Sequence, residues 1–572
     1  MSVQLVAREL GARGSRTATA GPDPAGAPTQ AAVEVLRSVP AWWSRRALTH
    51  GLSGRWLDVF QAVSAPRPEI DFALDEAWTP SDPISGHALG LAYVEALDAG
   101  VRSRHGRHYT PADLAERVWT SARSALGFGV RARPLPGLVR DPAAGGGALL
   151  LPPLREHLSA SASVDPSVVL AGLPQRIEGI DTDPHAAWLA AIILAAEALP
   201  VLARVPETRR EPLPGLVRVG DGLAYHSPAR VVVMNPPYGR VRLDAAERER
   251  FAHLIKGHAN LYGLFMGHAL DSLDDSGVLS ALVPTSFTAG AYFESLREVL
   301  TRDACLKSMT WVSDRGGTFS GVLQETCIAT FSKRQVRRTA IAVANGAVHP
   351  VATVATPRTS GPWLLPRRAD DAPVAAVAAA MPNTLRSLGW RASTGPLVWN
   401  RRRDDIASRP ARDRHKIVWA ADIVTGEVLR HPSRDQLRYL RVHGVRDERV
   451  MVLTEPAVLV QRTTAPEQTR RLVVADLDER SLEAWGGSAV VENHVNVLRP
   501  TTSEPKLDRA RLALVLSTVA LDRVMRSTAG SVAVSAYELG SLRFPADDVL
   551  KAWSSLEGDE LVSAVAESYR DH

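Results

Sequence analysis

Short apolar runs alternate with longer stretches of helical spacing through the middle of the chain. The runs are Leu138-Val139, Ile177 to Ile180, Val231 to Met234 and Val278 to Val283. Alternation of this kind is typical of a doubly wound, mainly parallel sheet with helices on both faces. The pattern therefore predicts an α/β domain over residues 105–335.

Different patterns flank this region. From Ala32 to about Gly100, large apolar residues recur at helix-like intervals, and residues 11–31 are rich in Gly, Ala, Pro and Thr. These features predict a mobile tail followed by a small helical unit. Beyond about residue 340 the chain has Pro/Arg-rich connections, short β-like segments and a helical pattern near Leu507 to Met525. We predict three parts: a tail and helical N-terminal unit (1–104), an α/β domain (105–335) and a mixed α/β domain (336–572).

Length and composition are consistent with several domains and indicate the cellular compartment. The chain has 572 residues, and a single domain rarely exceeds about 250. No apolar run approaches the roughly 20 residues that cross a membrane, and the N-terminus lacks the pattern of a secretory signal. With only Cys305 and Cys327, neither a disulfide framework nor a cysteine-based zinc site can form. We expect a cytoplasmic protein, and its net charge of +5 permits an acidic partner without requiring one.

The strongest functional pattern is Asn235-Pro236-Pro237-Tyr238, which directly follows the apolar run Val231 to Met234. Two prolines fix the backbone and remove two amide donors. The side-chain carbonyl of Asn235 and the main-chain carbonyl of Pro236 are then two acceptors for one exocyclic amino group. They would stabilise the positive charge that develops as its nitrogen attacks an electrophile. Tyr238 offers a flat face on which a planar base can stack.

Acidic residues follow three other predicted strands. Asp141 precedes a glycine-rich turn at residues 145–147, where the backbone can approach a ligand closely. Asp181 suits a ribose diol, and Asp221 suits the amino group of an adenine moiety. Asp183 is expected to cap the helix that Pro184 opens. Three strand-end acids ahead of Asn235 indicate a binding site rather than isolated turns.

The ordered set of motifs resembles the amino-group DNA methyltransferases, and within them the gamma class of adenine-N6 enzymes from restriction-modification and related defence systems. The resemblance covers residues 105–335 well and the segments 393–400, 461–464 and 491–494 more loosely. The motifs are Tyr109-Thr110-Pro111, Asp141 to Gly147, Asp181, Asp221, Asn235 to Tyr238 and Asn260-Leu261-Tyr262.

The resemblance implies a Rossmann-like methyltransferase sheet, S-adenosylmethionine as methyl donor and a flipped adenine in duplex DNA as acceptor. Asn235 and Pro236 would hold the target amine, Pro237 would keep their turn rigid, and Tyr238 and Phe319 would stack on the two faces of the base. The implied cofactor-binding residues are Tyr109, Thr110, Pro111, Asp141, Ala143, Gly145, Asp181 and Asp221. One departure is the 40-residue spacing from Asp141 to Asp181, which is double the usual spacing of about 20 and predicts an insertion around Leu151 to Leu173.

The resemblance also makes residues 336–572 a target-recognition domain. Arginine suits phosphate clamping and guanine recognition, and a basic stretch supplies the candidate DNA contacts Arg401, Arg402, Arg403, Arg412, Arg414 and Lys416. The implied partners are double-stranded DNA and a separate restriction endonuclease or other defence subunits, with the protein associated with the nucleoid and not with a membrane.

Other functions stay open at this point. No lysine precedes Lys256, so residues 1–104 lack the lysine that the common nuclease core needs, and no histidine cluster predicts a metal site. Asn-Pro-Pro-Tyr also suits glutamine-N5 or RNA methylation, whereas cytosine-N4 chemistry usually resembles Ser-Pro-Pro-Trp. A non-catalytic DNA-specificity subunit is the alternative outside the enzymes.

Overall fold

A nine-stranded mixed sheet lies at the centre of the computed structural model, which describes residues 28–72, 84–98, 100, 109–312, 325–463, 468–528 and 533–570. Its strands are β1 (Val139–Asp141), β2 (Ile177–Asp181), β3 (Val217–Val219), β4 (Ala229–Met234), β5 (Leu273–Pro284), β6 (Cys305–Val312), β7 (Thr326–Ser332), β8 (Arg338–Asn345) and β9 (Ala347–Ala355). They are ordered β9-β8-β6-β7-β5-β4-β1-β2-β3. Strands β1 to β5 run parallel, and β7 lies antiparallel between β5 and β6. The predicted doubly wound, mainly parallel sheet is confirmed.

The central strands β4, β5 and β7 are buried on both faces over most of their length, which explains their continuous apolar runs. In β4, Val231 and Val233 belong to one hydrophobic core, whereas Val232 and Met234 belong to the core on the opposite face. This division follows the two-residue period of a strand. Helices therefore cover the sheet on both sides.

Within the described part of the chain, seven longer helices accompany the sheet: α1 (Gln30–Thr49), α2 (Gly86–Ala96), α3 (Ala112–Ala125), α4 (Leu151–Ala160), α5 (Pro184–Glu197), α6 (Leu261–Asp271) and α7 (Glu294–Asp303). The first five contribute to one core, and α6 and α7 contribute to the other. Helix α5 is buried almost all round because α1 and α2 pack on it from outside the sheet. The helical N-terminal unit therefore shares a core with the sheet domain.

Shorter elements complete this half of the chain. They are the helices Val59–Ala62, Pro166–Ala171, Leu199–Arg204 and Ala245–Arg250, and the paired strands Val63–Ser64 with Leu213–Pro214 and Arg240–Val241 with Ala259–Asn260. In the described residues, no helix combines the length and apolarity that crossing a membrane requires.

Two smaller sheets form most of the C-terminal part. One is antiparallel, in the order Trp390–Thr394, Val495–Pro500, Ala457–Gln461 and Val474–Leu477; the other runs Ile406–Ala407, Tyr439–Arg441, Arg414–Val418, Ala489–Val491 and Val452–Leu453. The remaining paired strands are Asn383–Thr384 with Arg543–Phe544 and Ile423–Val424 with Glu427–Val428. The helices are Ala372–Ala380, Gly444–Met451, Glu479–Ala484, Arg509–Leu516, Val519–Thr528, Ala536–Gly540, Asp547–Trp553 and Gly558–Ser568. This arrangement is the mixed α/β type expected.

One domain boundary and one helix differ from the expected ones. Strands β8 and β9 join the central sheet, which therefore continues past residue 335. The helix expected near Leu507 to Met525 is two helices, because the Ser517 and Thr518 hydroxyls donate to carbonyls of the preceding turn. Such side-chain bonds compete with the helical pattern.

Candidate functional site

A cavity of about 410 Å³ lies where the carboxyl ends of four neighbouring strands meet. Asp141, Asp181, Asp221 and Asn235 each end or follow one of β1, β2, β3 and β4, and all four line the cavity together with Tyr238. The carboxyl end of an open parallel sheet is where such folds bind ligands. The structure therefore brings the three predicted acids and the Asn-Pro-Pro-Tyr turn to one site.

The glycine-rich turn forms one wall of this cavity. The Asp181 carboxylate accepts the Gly145 amide on one oxygen, at 2.8 Å, and the Asp183 amide on the other, at 2.9 Å. Asp141 accepts the Ala143 amide at 3.0 Å. Both Ala143 and Gly145 line the cavity. Asp181 thus ties the turn after β1 to the end of β2.

The Asp141 carboxyl is 1% exposed. Burial raises its pKa to about 8, an effect that the nearby Asp181 reinforces and the Ala143 hydrogen bond opposes. A buried carboxyl without a neutralising cation favours its protonated form. Asp141 is therefore mostly protonated at pH 7, and a positively charged ligand beside it would favour loss of that proton.

The segment Tyr109-Thr110-Pro111 packs against the glycine-rich turn. Tyr109 and Thr110 line the cavity, and Pro111 precedes the first residue of α3. Gly146 leaves room for the Tyr109 ring, since a Cβ there would come within 2.9 Å of it. Burial strongly raises the pKa of the Tyr109 hydroxyl, so it stays protonated.

The Asn235 amide has a fixed orientation. Its Nδ2 donates to Thr110 Oγ1 at 3.0 Å, and its Oδ1 accepts the Tyr238 hydroxyl at 2.8 Å. That hydroxyl also lies 3.2 Å from the Leu282 carbonyl oxygen. An amide oxygen has two lone pairs, so Asn235 Oδ1 retains acceptor capacity toward the cavity. Burial raises the pKa of Tyr238 far above its usual value, which keeps the hydroxyl a donor.

Only some of the other residues of this turn and of the segment Asn260-Leu261-Tyr262 line the cavity. Pro237 lines the cavity, whereas Pro236 is buried and does not line it. In the segment Asn260-Leu261-Tyr262, Leu261 lines the cavity. The buried Tyr262 ring meets the Tyr238 ring edge-on at 6.2 Å.

The Asp221 turn approaches the glycine-rich wall very closely. A Cβ at Gly222 would lie 1.8 Å from the carbonyl oxygen of Pro142, so only glycine fits without backbone movement. The exposed Asp221 accepts the Leu223 amide at 2.9 Å. The last predicted acid is thereby held at the rim.

Helix α2 supplies a wall that sequence analysis missed. Tyr93, Val94 and Leu97 line the cavity, and the Tyr93 hydroxyl donates to Asp183 at 3.1 Å. Asp183 also accepts the His185 amide, which confirms its predicted role as a helix cap. The sequence around Tyr93 carries no motif that could have indicated this contact.

The predicted DNA-contacting residues lie in the C-terminal part, and none of the six lines the cavity. Arg402 pairs with Asp405 and Asp447. Lys416 donates to a main-chain carbonyl at residue 484, Arg414 donates to one at residue 409, and the Arg403 guanidinium lies over the Trp399 ring. Arg401 and Arg412 are exposed. Phe319 lies outside the described residues.

No group of three or more His, Cys, Asp or Glu side chains within the described ranges is arranged to hold a metal ion.

Comparison with known proteins finds a family whose members resemble part of this site. Residues 230–316 match the Eco57I restriction-modification methylase family. This segment contains the Asn-Pro-Pro-Tyr turn, the Asn260 motif and β5, and it confirms the resemblance to restriction-modification methyltransferases. S-adenosylmethionine is the expected cofactor of such methyltransferases.

Two relatives extend the likeness beyond that segment. The chain is 24% identical over 332 residues to the Type II methyltransferase M.BsuBI of Bacillus subtilis and 23% identical over 335 residues to M.PstI of Providencia stuartii. Each alignment covers 56% of this chain and 65% of the relative. The chain thus spans just under two thirds of the length of these methyltransferases.

A solved structure supports the fold over a longer range. The Type IIL restriction-modification enzyme MmeI, determined in complex with DNA, superposes with a TM-score of 0.50 at 13% identity, covering 86% of this chain and 78% of MmeI. The predicted methyltransferase fold is therefore confirmed, including its continuation into a C-terminal mixed α/β part.

Proposed function

We propose that this chain is a site-specific DNA methyltransferase that transfers a methyl group from S-adenosylmethionine to the N6 amine of an adenine flipped out of duplex DNA. The observation that carries the proposal is the oriented amide of Asn235, whose nitrogen donates to Thr110 and whose carbonyl oxygen accepts the Tyr238 hydroxyl. This amide lies in a cavity lined by three strand-end acids. The restriction-modification family of the surrounding segment supports nucleic acid as the substrate.

The residues present fit the cofactor. Asp181 and the backbone of the glycine-rich turn provide a polar floor suited to a ribose, and the exposed Asp221 provides an acceptor for an adenine amine. The buried Asp141 provides a carboxyl for a cationic group. Bound there, S-adenosylmethionine supplies an electrophilic methyl group on a sulfonium.

The protein's part in the transfer is to hold the acceptor nitrogen. Asn235 Oδ1 accepts one hydrogen of the amine, which withdraws the nitrogen lone pair from the ring and directs it at the methyl group. We assign the other hydrogen to the Pro236 carbonyl, which the turn would have to expose, since Pro236 is buried and does not line the cavity. With S-adenosylmethionine held by Asp181, Asp221 and the glycine-rich turn, the methyl group would pass from sulfur to this nitrogen. The sulfur would keep the bonding electron pair, and the nitrogen would lose one proton to solvent. Because the leaving group is neutral, positioning and charge stabilisation supply most of the acceleration.

An amine inside a duplex cannot reach the bottom of such a cavity, so the target base must be extruded. The Tyr238 side chain lies beside Asn235 and is held in place by the Tyr262 ring and the Leu282 carbonyl. We assign it to one face of the extruded base and Phe319 to the other. Exposed basic residues such as Arg401 and Arg412 would contact phosphates or bases of the same duplex.

Asn235→Ala tests the proposal. Genomic DNA from cells that express the chain is sequenced with detection of modified bases, and we expect N6-methyladenine at one sequence with the wild type and none with the variant. Affinity for S-adenosylmethionine, measured by calorimetry, should stay within about twofold. Asn345→Ala, at an exposed asparagine ending β8, is the matched control and should methylate normally.

The alternatives give different outcomes in the same cells. Full methylation by Asn235→Ala would refute the assigned role of that amide. Methylated cytosine, RNA or glutamine in place of adenine would assign another acceptor, and cofactor binding without any methylation would favour a specificity subunit. A restriction endonuclease that cuts the same sequence when unmethylated is the proposed associated enzyme.

A further inference from the structure

An exposed aromatic side chain lies beside the rim of the cavity. Tyr292 is 51% exposed, so about half of this aromatic side chain is open to solvent. Its ring centroid lies 5.9 Å from the guanidinium carbon of Arg240, a residue that lines the cavity, and 5.6 Å from the His258 ring. We call these three residues the rim cluster.

The fold presents Tyr292 outward while it buries the next residue. Phe293 packs against Tyr262 with ring centroids 5.1 Å apart, and Tyr262 in turn contacts the target-stacking Tyr238. Because Ala291–Phe293 is a single 3-10 turn, neighbouring side chains in it point in different directions. The segment that carries Tyr292 is thus connected through Phe293 and Tyr262 to Tyr238 in the Asn-Pro-Pro-Tyr turn.

A second segment supports the exposed ring from the side. Arg240 and His258 lie on or beside the short hairpin strands Arg240–Val241 and Ala259–Asn260, which follow the catalytic turn. Gly257 has a φ of +81°, and a Cβ there would lie 3.3 Å from the Tyr292 ring. The backbone at Gly257 therefore approaches the ring closely and leaves the rest of it exposed.

The charge of this segment suits a polyanion. Residues 239–258 carry five basic side chains against three acidic ones. Lys256 pairs with Glu294 and Arg250 donates to a main-chain carbonyl, whereas Arg240 and Arg242 are exposed. A cationic, partly aromatic surface is the kind that holds unpaired nucleotides, with stacking on the base and charge on the phosphate.

We propose that Tyr292 stacks on a nucleobase exposed when the target leaves the duplex, with Arg240 on the adjoining phosphate. The inference rests on the proposed function, because it is the extrusion of a target that exposes such a base. It adds a contact outside the cavity that stabilises the opened duplex. The stacked base is distinct from the target held at Tyr238.

Tyr292→Ala tests this role on two substrates. One is a short duplex containing the methylated sequence found in the genome, and the other carries a mismatch at the target adenine, which is then already unpaired. We expect kcat/KM to fall about 5- to 150-fold on the matched duplex, the range for the loss of one stacked base. The mismatched duplex should raise kcat/KM for both proteins, since less pairing has to be broken. The ratio between wild type and variant should stay about the same, because the stacked base stabilises the opened state of either duplex.

Tyr292→Phe is the matched control, because it keeps the ring and removes only the hydroxyl; it should behave as the wild type on both substrates. Arg240→Gln should weaken DNA binding and lower its salt dependence by about one ion. Thermal denaturation and calorimetry with S-adenosylmethionine verify that each variant is folded. No loss on either duplex, or the same loss in Tyr292→Phe, would overturn the inference.

A binding measurement separates this inference from the proposed function. Fluorescence anisotropy with labelled DNA that contains an unpaired base needs no methyl transfer. Weaker binding by Tyr292→Ala but not by Tyr292→Phe would support the stacking contact even if no DNA were methylated. Unchanged binding in both variants would remove the contact while leaving methylation by the wild type intact.

Discussion

Cofactor affinity should increase as the pH rises from 6 to 7.5, because Asp141 must lose its proton to stabilise a cation. Its pKa of about 8 lies well above the usual value for an aspartate, chiefly because the carboxyl is buried. S-adenosylmethionine carries a sulfonium and an ammonium group, and a cation close to a carboxylate lowers the pKa of that carboxylate. Binding and deprotonation of Asp141 are therefore linked.

The magnitude follows from the ionised fraction. With a pKa of about 8, about one Asp141 carboxyl in a hundred is ionised at pH 6 and about one in four at pH 7.5. A cofactor that binds only the ionised form would gain about 25-fold in affinity over this range. The range ends at pH 7.5 because an α-amino group itself loses its proton at about pH 7.7–8.0.

Isothermal titration calorimetry measures both the affinity and the proton. The dissociation constant is determined at several pH values from 6 to 7.5, and the binding enthalpy is compared between buffers of different ionisation enthalpy to count protons released. We expect tighter binding with rising pH and the release of up to one proton. Asp141→Asn, which keeps an oxygen for the Ala143 amide, should show neither effect.

Two results would refute this reasoning. One is an affinity of the wild type that does not change across the range. The other is a slope that persists in Asp141→Asn, which would assign the titration to another group. His87 is one candidate, because it packs against the Tyr109 ring and burial lowers its pKa.

Three substitutions test other contacts of the cavity. Tyr93→Phe removes the hydrogen bond to Asp183 and should cost about 1 kcal/mol in cofactor binding or in the free energy of unfolding, measured by calorimetry and urea denaturation. Gly222→Ala would place a methyl group 1.8 Å from a carbonyl oxygen, so we expect destabilisation of about 1–3 kcal/mol and loss of cofactor binding in the same assays. Thr110→Val deprives the Asn235 amide of its acceptor and should lower kcat about tenfold with a smaller effect on cofactor affinity, whereas Thr110→Ser restores kcat; radiolabelled methyl transfer measures both.

The sequence allowed the main parts of the site to be predicted because each one follows a strand. Asp141, Asp181 and Asp221 are separated by tens of residues, yet parallel strands bring their carboxyl ends to one edge. The Asn235 turn follows the next parallel strand, β4, so its place at the same edge was equally predictable. A strand pattern in the sequence therefore predicts at which end of the sheet a residue lies.

Contacts between distant segments were not predictable in the same way. The hydrogen bond from Asn235 to Thr110 joins residues 125 positions apart. The contact of Tyr93 with the cavity depends on how α2 packs on α5. Neither contact leaves a periodicity or a motif. The basic composition of a stretch also did not predict which of its arginines are free to contact DNA. Arg402 belongs to the basic stretch but is paired with two aspartates.

The strand order explains why the unusual spacing from Asp141 to Asp181 leaves the cavity intact. Strand β1 lies between β2 and β4. The chain therefore continues from β1 toward one edge of the sheet through β2 and β3, and then returns to place β4 on the opposite flank of β1. This reversal opens a crevice at the end of β1. The additional residues form Leu151–Ala160 and Pro166–Ala171, and Asp181 still reaches the Gly145 amide at 2.8 Å. The length of the connection is therefore absorbed by helices, while the distance between the two strand ends is set by the hydrogen bonds of the sheet.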